Sequence, residues 1–353
     1  MENGKHSNIV GLFPKGMSRR QALKTGAGIF IVGGLNTSFL RYANAATPAI
    51  VSEAIHLGMY VSLYTARQKK LFEKHGLDVG IKSAGGVALP VPVLLSGRGQ
   101  FGVTAAGMSV NANHAGGKMK NIAKIVGGVA MWAVAKPDST IKDVEDFKGK
   151  TIATLKFPSS TIQTPTFTMK KYGGFEPKSA GVKFLQLPFG AQTAAVQDGR
   201  ADMATVFEWD ASISKKQFGL KVVYSFADVI GPLSWTTAFV TEEYMNKNPE
   251  AIQGFCNAIA EAQKMLHQDP EVFVEVSKAE FPKLDESVIR NATANFFGSK
   301  IVVPRNPTIS EAEWDTDMEL EHAGGAIKGK LPYAEMVENS FAEKATKKYG
   351  LAS

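Results

Sequence analysis

A single cysteine, Cys256, stands among 353 residues, so no intramolecular disulfide can form in any redox compartment. It lies in "PEAIQGFCNAIAEAQKML", where Ile252, Phe255, Cys256, Ile259 and Leu266 share one helical face. Cys256 therefore reads as a small core residue, not a nucleophile. Long apolar runs are missing too. The run from Ala27 to Leu40 is broken by Gly28, Gly33, Gly34, Asn36, Thr37 and Ser38, and falls short of the roughly 20 apolar residues a spanning helix needs. No second run comes nearer. His56, His75, His114, His267 and His322 are dispersed, with no HExxH, HxH or CxxC spacing for a metal. No serine sits in a nucleophile elbow, and no phosphate-binding glycine loop or dinucleotide fingerprint occurs. Basic stripes interleaved with aromatics, the footprint of nucleic-acid binding, are lacking. These absences predict a chain without cofactor, metal, catalytic activity or nucleic-acid partner.

What is present begins with "MSRRQALKTGAGIFIVGG" at Met17. Two arginines, Arg19 and Arg20, precede the short apolar run, and "RYANAAT" follows it. A basic start, a short apolar middle and the small-x-small pattern of Ala43-Asn44-Ala45 predict a removable export signal, cleaved between Ala45 and Ala46. "SRRQALK" further resembles the twin-arginine motif, with Ala22 where a bulkier apolar residue is usual, which implies the twin-arginine export machinery as a partner. The signal also explains the charge. The chain carries a formal +7, but residues 1–45 hold Lys5, Lys15, Arg19, Arg20, Lys24 and Arg41 against Glu2 alone. About +2 is left, scattered, for the mature chain.

The mature part reads as strands alternating with helices, the mark of an α/β chain with largely parallel sheets. "AIVSEAIHLGMY" gives a strand, "VSLYTARQKKLFEKHG" a helix stopped by Gly76, and "QFGVTAAGM" a later strand. The pattern restarts at "DVEDFKGKTIATLKFPSST", where Thr164-Pro165 reads as a helix start. Beyond "PLSWTTAFVT" the chain becomes mostly helical. "LLSGRGQFGVTA" and "AVQDGRADMATVF" echo each other, with Gly97-Arg98 matching Gly199-Arg200. Two similar lobes are expected, the second inserted in the first.

"KKLFEKHGLDV", "LLSGRGQFGVT", "DFKGKTIAT" and "AAVQDGRADMATVFEW", in that order, resemble landmarks of one family. It comprises the periplasmic solute-binding proteins of ABC importers for nitrate, taurine, alkanesulfonates and thiamine-pyrimidine precursors, the NMT1-like group. The resemblance runs from Ile50 to Glu261. It implies a type II periplasmic binding protein fold: two α/β lobes, a hinge, and a ligand cleft between them. The expected division is a signal at 1–45, lobe 1 at 46–136, lobe 2 at 137–232, and a return to lobe 1 with C-terminal helices at 233–353. It also implies a periplasmic monomer that hands a small-molecule ligand to ABC permease and ATPase subunits. One position departs from the family: Gln100 stands where an acidic residue is common, while Asp202 keeps the acid in the second lobe. That position is a turn, with no expected effect on ligand choice. The cysteine-rich stretch of the pyrimidine-synthase relatives is absent.

In open α/β sheets a ligand lies outside the carboxyl ends of the strands. That rule selects Gly58–Tyr64, Ala84–Val87 and Thr104–Ser109 in the first lobe, and Phe157–Thr164, Pro188–Gln192 and Phe207–Asp210 in the second. The candidate contacts are Tyr60, Ser62, Tyr64, Gly85, Gly86, Ala106 and Met108, then Ser159, Ser160, Thr161, Gln192, Glu208 and Trp209. Ser159 to Thr161 suit an anion at a helix start, or simply cap the helix. Tyr60 and Tyr64 suit stacking on a ligand, or lobe packing. Glu208 beside Trp209 suits a wall that stacks a ring or grips an amine, or is a surface acid beside a half-buried indole. Gly85-Gly86 permits close approach, or marks a turn. Trp132 and Trp235 read as hinge packing. The first expectation for the ligand is a small organic anion of sulfonate or carboxylate type. Few cations sit in these loops, which keeps open a pyrimidine-like or aromatic ligand, and an exported enzyme on the same fold is the third reading.

Overall fold

The computed structural model describes residues 46–157 and 159–352. The expected export signal, with Arg19, Arg20 and Ala45, lies outside the described residues, and Ala46 is the first of them. Strand β1 (Thr47–Glu53) leads through a short turn into helices α1 (Val61–Gln68) and α2 (Leu71–Lys74). These are one helix in the sequence reading. The chain breaks it at Lys70, which adopts a left-handed φ of 55°. Then come β2 (Leu77–Ser83), α3 (Pro90–Leu95), β3 (Phe101–Ala105), α4 (Gly107–His114), β4 (Met119–Val126) and β5 (Met131–Ala135). The series restarts with β6 (Thr151–Leu155), α5 (Ser160–Lys171), β7 (Lys183–Leu187), α6 (Gln192–Gln197), β8 (Met203–Phe207), α7 (Asp210–Phe218), β9 (Lys221–Ser225) and α8 (Phe226–Ile230). After β10 (Thr236–Thr241) the rest is helical: α9 (Glu242–Lys247), α10 (Pro249–Gln268), α11 (Glu271–Glu280), α12 (Glu286–Gly298), α13 (Glu311–Ala323), α14 (Tyr333–Met336) and α15 (Ser340–Tyr349).

Two five-stranded sheets result, ordered β2-β1-β3-β10-β4 and β7-β6-β8-β5-β9. In each, four strands run one way and the fourth in order, β10 or β5, runs antiparallel to both of its neighbours. That strand arrives directly from a crossover, so it starts where the parallel strands end: Thr236 pairs with Ala105, and Met131 with Phe207. The sheets are thus mixed. The first crossover spans Gly127–Ala130, so β5 belongs to the second sheet, ahead of the boundary at 136 drawn from sequence. The second follows Ile230 and ends at β10.

The C-terminal helices do not simply return to the first lobe. From α12, Asn295 donates to Glu208, and Asp285 at its start pairs with Lys216 of α7 at 2.6 Å. The connection to α13 then runs along the first crossover, where Gly127 N–H donates to the Val302 carbonyl. On the other flank Gln163 of α5 donates to the Gly324 carbonyl at 2.7 Å, just past α13.

Helix α10 is the spine of the main core. Ile252, Phe255, Cys256, Ile259 and Leu266 are all fully buried, as their spacing requires. Burial pushes the Cys256 thiol well up, so it stays an inert thiol. Phe255 stacks on Phe101 of β3 at 4.4 Å, coupling this helix to the first sheet. Helix α5 begins five residues before the expected start, with Ser159 in place of Thr164 as its cap. Ser159 caps it by accepting from the Thr161 N–H, and Pro165 lies inside the helix. A proline so early in a helix costs one carbonyl its partner, and the cap at Ser159 offsets that loss.

Candidate ligand cleft

The two crossovers bring the carboxyl ends of both parallel strand sets to a common seam. Each half can be built from its strand exits.

In the first lobe the exits are sealed by the chain's own groups. Glu53 ends β1 and is 2% exposed; it accepts from the Tyr64 hydroxyl at 2.7 Å and meets His56 Nδ1 at 2.9 Å. That hydrogen bond holds the His56 imidazole above its usual pKa, against the opposing effect of burial. Arg67 is committed to Glu280, so it offers no free cation. Tyr60, Ser62 and Tyr64 are buried, and desolvation lifts both phenols. At the exit of β1 and β2 the N–H groups of Gly85 and Gly86 both donate to the Ala54 carbonyl at 2.9 Å, and Gly85 holds φ at 86°. Beyond β3, Ala106 is buried and Met108 partly so. Between them the Gly107 N–H donates to Glu321 of α13 at 3.1 Å. A Cβ at position 107 would overlap that carboxylate, so glycine is required there. Asp317, one turn earlier on α13, is fully buried and accepts from Ser234 at the second crossover. Burial, then the neighbouring Glu321, raises its carboxyl well above the usual range, and burial raises that of Glu321 as well.

The second lobe is less closed. Ser159 and Ser160 are partly buried and Thr161 is buried. The Ser159 hydroxyl caps α5, and the Thr161 hydroxyl accepts from the Leu155 N–H at 2.9 Å. Gln192 turns its amide N–H groups inward, onto the carbonyls of Leu187 at 3.2 Å and Pro188 at 2.8 Å. Glu208 is 3% exposed and faces inward, accepting from Ser212 N at 3.1 Å, Ser212 Oγ at 2.9 Å and Asn295. Its burial outweighs those bonds and pushes the carboxyl up to about 7. Trp209 crosses the seam. A Cβ on Gly58 would lie 2.6 Å from its ring, and the indole sits 5.1 Å from Phe281, 6.0 Å from Phe273 and 6.1 Å from Phe296. Trp132 packs against the same Phe296, at 5.8 Å.

A crevice too narrow to admit a water lies at these second-lobe exits, lined by Leu155, Thr161, Phe189, Gln192, Thr205, Val206, Phe207 and Asp210. A larger groove, about 630 Å³, lies on the first lobe at Gln100, Lys118 and Tyr244. It sits at the amino ends of the parallel strands, beside the starts of α9 and α10 and away from the strand exits where a ligand is expected in open α/β sheets.

The sequence reading omitted Glu53, His56, Thr205, Asp317 and Glu321. Glu53 leaves one signal, an acid closing an apolar strand. Glu321 leaves none, because it meets Gly107 from 214 residues away. Among the described residues no group of three or more His, Cys, Asp and Glu side chains is arranged to hold a metal, and no helix is long and apolar enough to cross a membrane.

The fold and the sequence both have known counterparts. The chain is 17% identical to the periplasmic aliphatic sulphonate binding protein SsuA from Escherichia coli, with a TM-score of 0.65 over 83% of this chain and 92% of that one. It is 15% identical to the periplasmic nitrate-binding protein NrtA from Synechocystis PCC 6803, with a TM-score of 0.63 over 86% of this chain and 89% of that one. These likenesses show the periplasmic binding protein fold. In sequence it is 25% identical over 318 residues to YtlA of Bacillus subtilis (strain 168), which carries a binding-protein name, covering 87% of this chain and 95% of that protein. A model of the family described as NMT1/THI5 like matches residues 58–272, well over half of the chain, which therefore belongs to that family.

Proposed function

We propose that this chain is the periplasmic capture component of an ABC importer. It takes a small organic ligand between its lobes, closes on it, and delivers it to the permease, with the ATPase driving release. The observation that carries this reading is the repetition of one strand order in two sheets, joined at the end where all the parallel strands finish. Such a repeat suits a two-jawed clamp. The binding roles in the names of SsuA, NrtA and YtlA support it. Export through the twin-arginine route, with cleavage after Ala45, completes the proposal.

The chemistry of the seam favours a ring-bearing ligand of pyrimidine-like or aromatic type over a sulfonate or carboxylate. Glu53, Glu208, Asp210 and Glu321 gather at the strand exits, whereas Arg67 is paired and Lys156 is exposed. Glu53, Glu208 and Glu321 already accept from the chain's own donors; Asp210 is left to repel a free anion, at a cost that rises as the cleft excludes water.

A thermal-shift panel of sulfonates, carboxylates, nitrate and pyrimidines, followed by small-angle scattering, tests the reading. A hit should raise the melting temperature and shrink the radius of gyration. If no panel member binds, and native mass spectrometry of protein from its own host finds no small molecule, capture is wrong. For export, Arg19→Lys with Arg20→Lys should leave the precursor in the cytoplasm; unchanged export means the general secretory route.

A further inference from the structure

The C-terminal end of α13 stands between two helix starts, one in each lobe. On the first-lobe side, Glu321 Oε1 accepts from the Gly107 N–H at 3.1 Å. Gly107 opens α4, a helix of 8 residues that no side chain of its own caps and whose first turn holds no acid. On the second-lobe side, Gln163 in the first turn of α5 donates to the Gly324 carbonyl at 2.7 Å. Both approaches depend on glycine. A Cβ at Gly107 would overlap the Glu321 carboxylate, and one at Gly324 would lie 2.9 Å from the Gln163 side chain.

The carboxylate at α4 is not half of an ion pair. Glu321 is 5% exposed, and its Oε2 has no hydrogen-bond partner among the described residues. Asp317, one turn earlier, adds a second buried acid with a partnerless Oδ1 rather than a counter-charge. Burying an unpaired carboxylate is costly. The favourable groups facing it are the N–H groups and the positive dipole end of α4, which would hold a free anion equally well. The start of α4 follows β3 directly, at a strand exit where open α/β sheets hold ligands. Glu321 thus sits where the anionic group of a ligand would otherwise dock.

We propose that Glu321 is a built-in occupant of the first-lobe anion position and sets ligand choice by excluding ligands whose anionic group needs it. The proposal rests on the capture reading above and adds the residue that turns anions away. Glu321 has a competing structural role, since a remote acid that only caps α4 would also be buried. A cap stabilises the helix without opening onto the cleft, so the two roles differ in what can replace the carboxylate.

Glu321→Ala deletes a fragment with the outline of acetate. The mature chain is melted at constant ionic strength and pH 8, above the value of about 7 to which burial raises the Glu321 carboxyl. Acetate in place of chloride should raise the melting temperature of this variant by about 3 °C at ten times its dissociation constant. Wild type, and Glu321→Gln with a neutral amide in the same space, should move by less than about 1 °C. If Glu321→Ala unfolds in chloride, acetate-dependent recovery of its circular dichroism is the readout. Benzoate separates occupant from cap, because its ring must extend into the cleft. Calorimetry should show it binding Glu321→Ala at least about tenfold tighter than wild type. Acetate that shifts all three proteins alike, or none, overturns the proposal. So does acetate rescue without benzoate binding, which makes Glu321 a cap. Wild type that binds a sulfonate or carboxylate of the panel above as tightly as Glu321→Ala does overturns the exclusion and leaves capture standing. Failure of wild type to bind any panel member, with no small molecule carried from its host, removes capture and this inference with it.

Discussion

The two lobes repeat one topology and end it differently. In each, the residue just before the third parallel strand clasps the first. Gln100 accepts from the Ile50 N–H at 2.8 Å and donates its own N–H to the Ile50 carbonyl at 2.9 Å. Asp202 accepts from the Thr151 N–H at 2.7 Å and donates to the Thr151 carbonyl at 2.9 Å. Beyond that shared clasp the exits diverge. The first lobe fills its own, with Glu53, His56 and Tyr64 bonded together and Glu321 seated over Gly107. The second leaves Asp210 and Thr205 without partners among the described residues, in a crevice edged by Phe189. Topology positions strand ends; the few residues after each strand decide whether an end is structural or free to bind.

The largest expected effect comes from an aromatic side chain that packs across the seam. Trp209 leaves the second lobe and packs among Gly58, Phe273, Phe281 and Phe296. Trp209→Ala empties that socket and should cost on the order of 3 kcal/mol, since the site collapses only in part. Denaturant melts should show the loss, and scattering should show a more open particle. An unchanged radius of gyration would mean that α12 and α13 hold the lobes without it.

Glu208 contrasts with Asp210, two residues away, because its carboxylate is satisfied but buried. With a carboxyl raised to about 7, the folded state binds its proton more tightly than the unfolded chain does. Stability from this group is therefore complete below the unfolded carboxylate pKa of about 4.3, falls as pH rises, and levels off above about 7. Glu208→Gln removes that slope. Relative to wild type it should gain on the order of 3 kcal/mol at pH 8, less whatever the amide loses against three donors, and nothing at pH 3. Parallel melting curves for the two proteins across this range would show that Glu208 does not titrate there.

Much of this was legible in the sequence, and what was not has a physical reason. The buried face of α10 followed from spacing alone, because 3.6-residue periodicity is local. The lobe repeat followed from Gly97-Arg98 and Gly199-Arg200. The place of β5 did not: "NIAKIVGGVAMWAVAK" is apolar throughout, and nothing local says which sheet an apolar strand joins. Nor did the reach of α12 to the second lobe, which depends on Asn295 meeting Glu208 across 87 residues. At the cleft, the six exit loops came from a rule about strand ends. Within them the bland alternative describes several residues: Ser159 caps, Tyr64 bonds Glu53, and Glu208 turns inward. Side-chain direction, set by partners far along the chain, was the missing information.

The clasp gives the smallest effect and the sharpest comparison. Both residues hold the same two backbone groups, but Asp202 is a carboxylate and Gln100 a neutral amide one methylene longer. A charge-assisted bond is roughly twice as strong as a neutral one. Asp202→Ala should therefore lower stability by about 1.5 kcal/mol and Gln100→Ala by about 1 kcal/mol, with the backbone half of each clasp intact. Asp202 is exposed, so added salt should narrow the gap between the two variants. Neither clasp lies at a strand exit, so both variants should bind ligand as wild type does. If Gln100→Ala instead weakens ligand binding while Asp202→Ala does not, the amide at position 100 is a departure tied to ligand choice, and the two lobes differ at both ends of their strands.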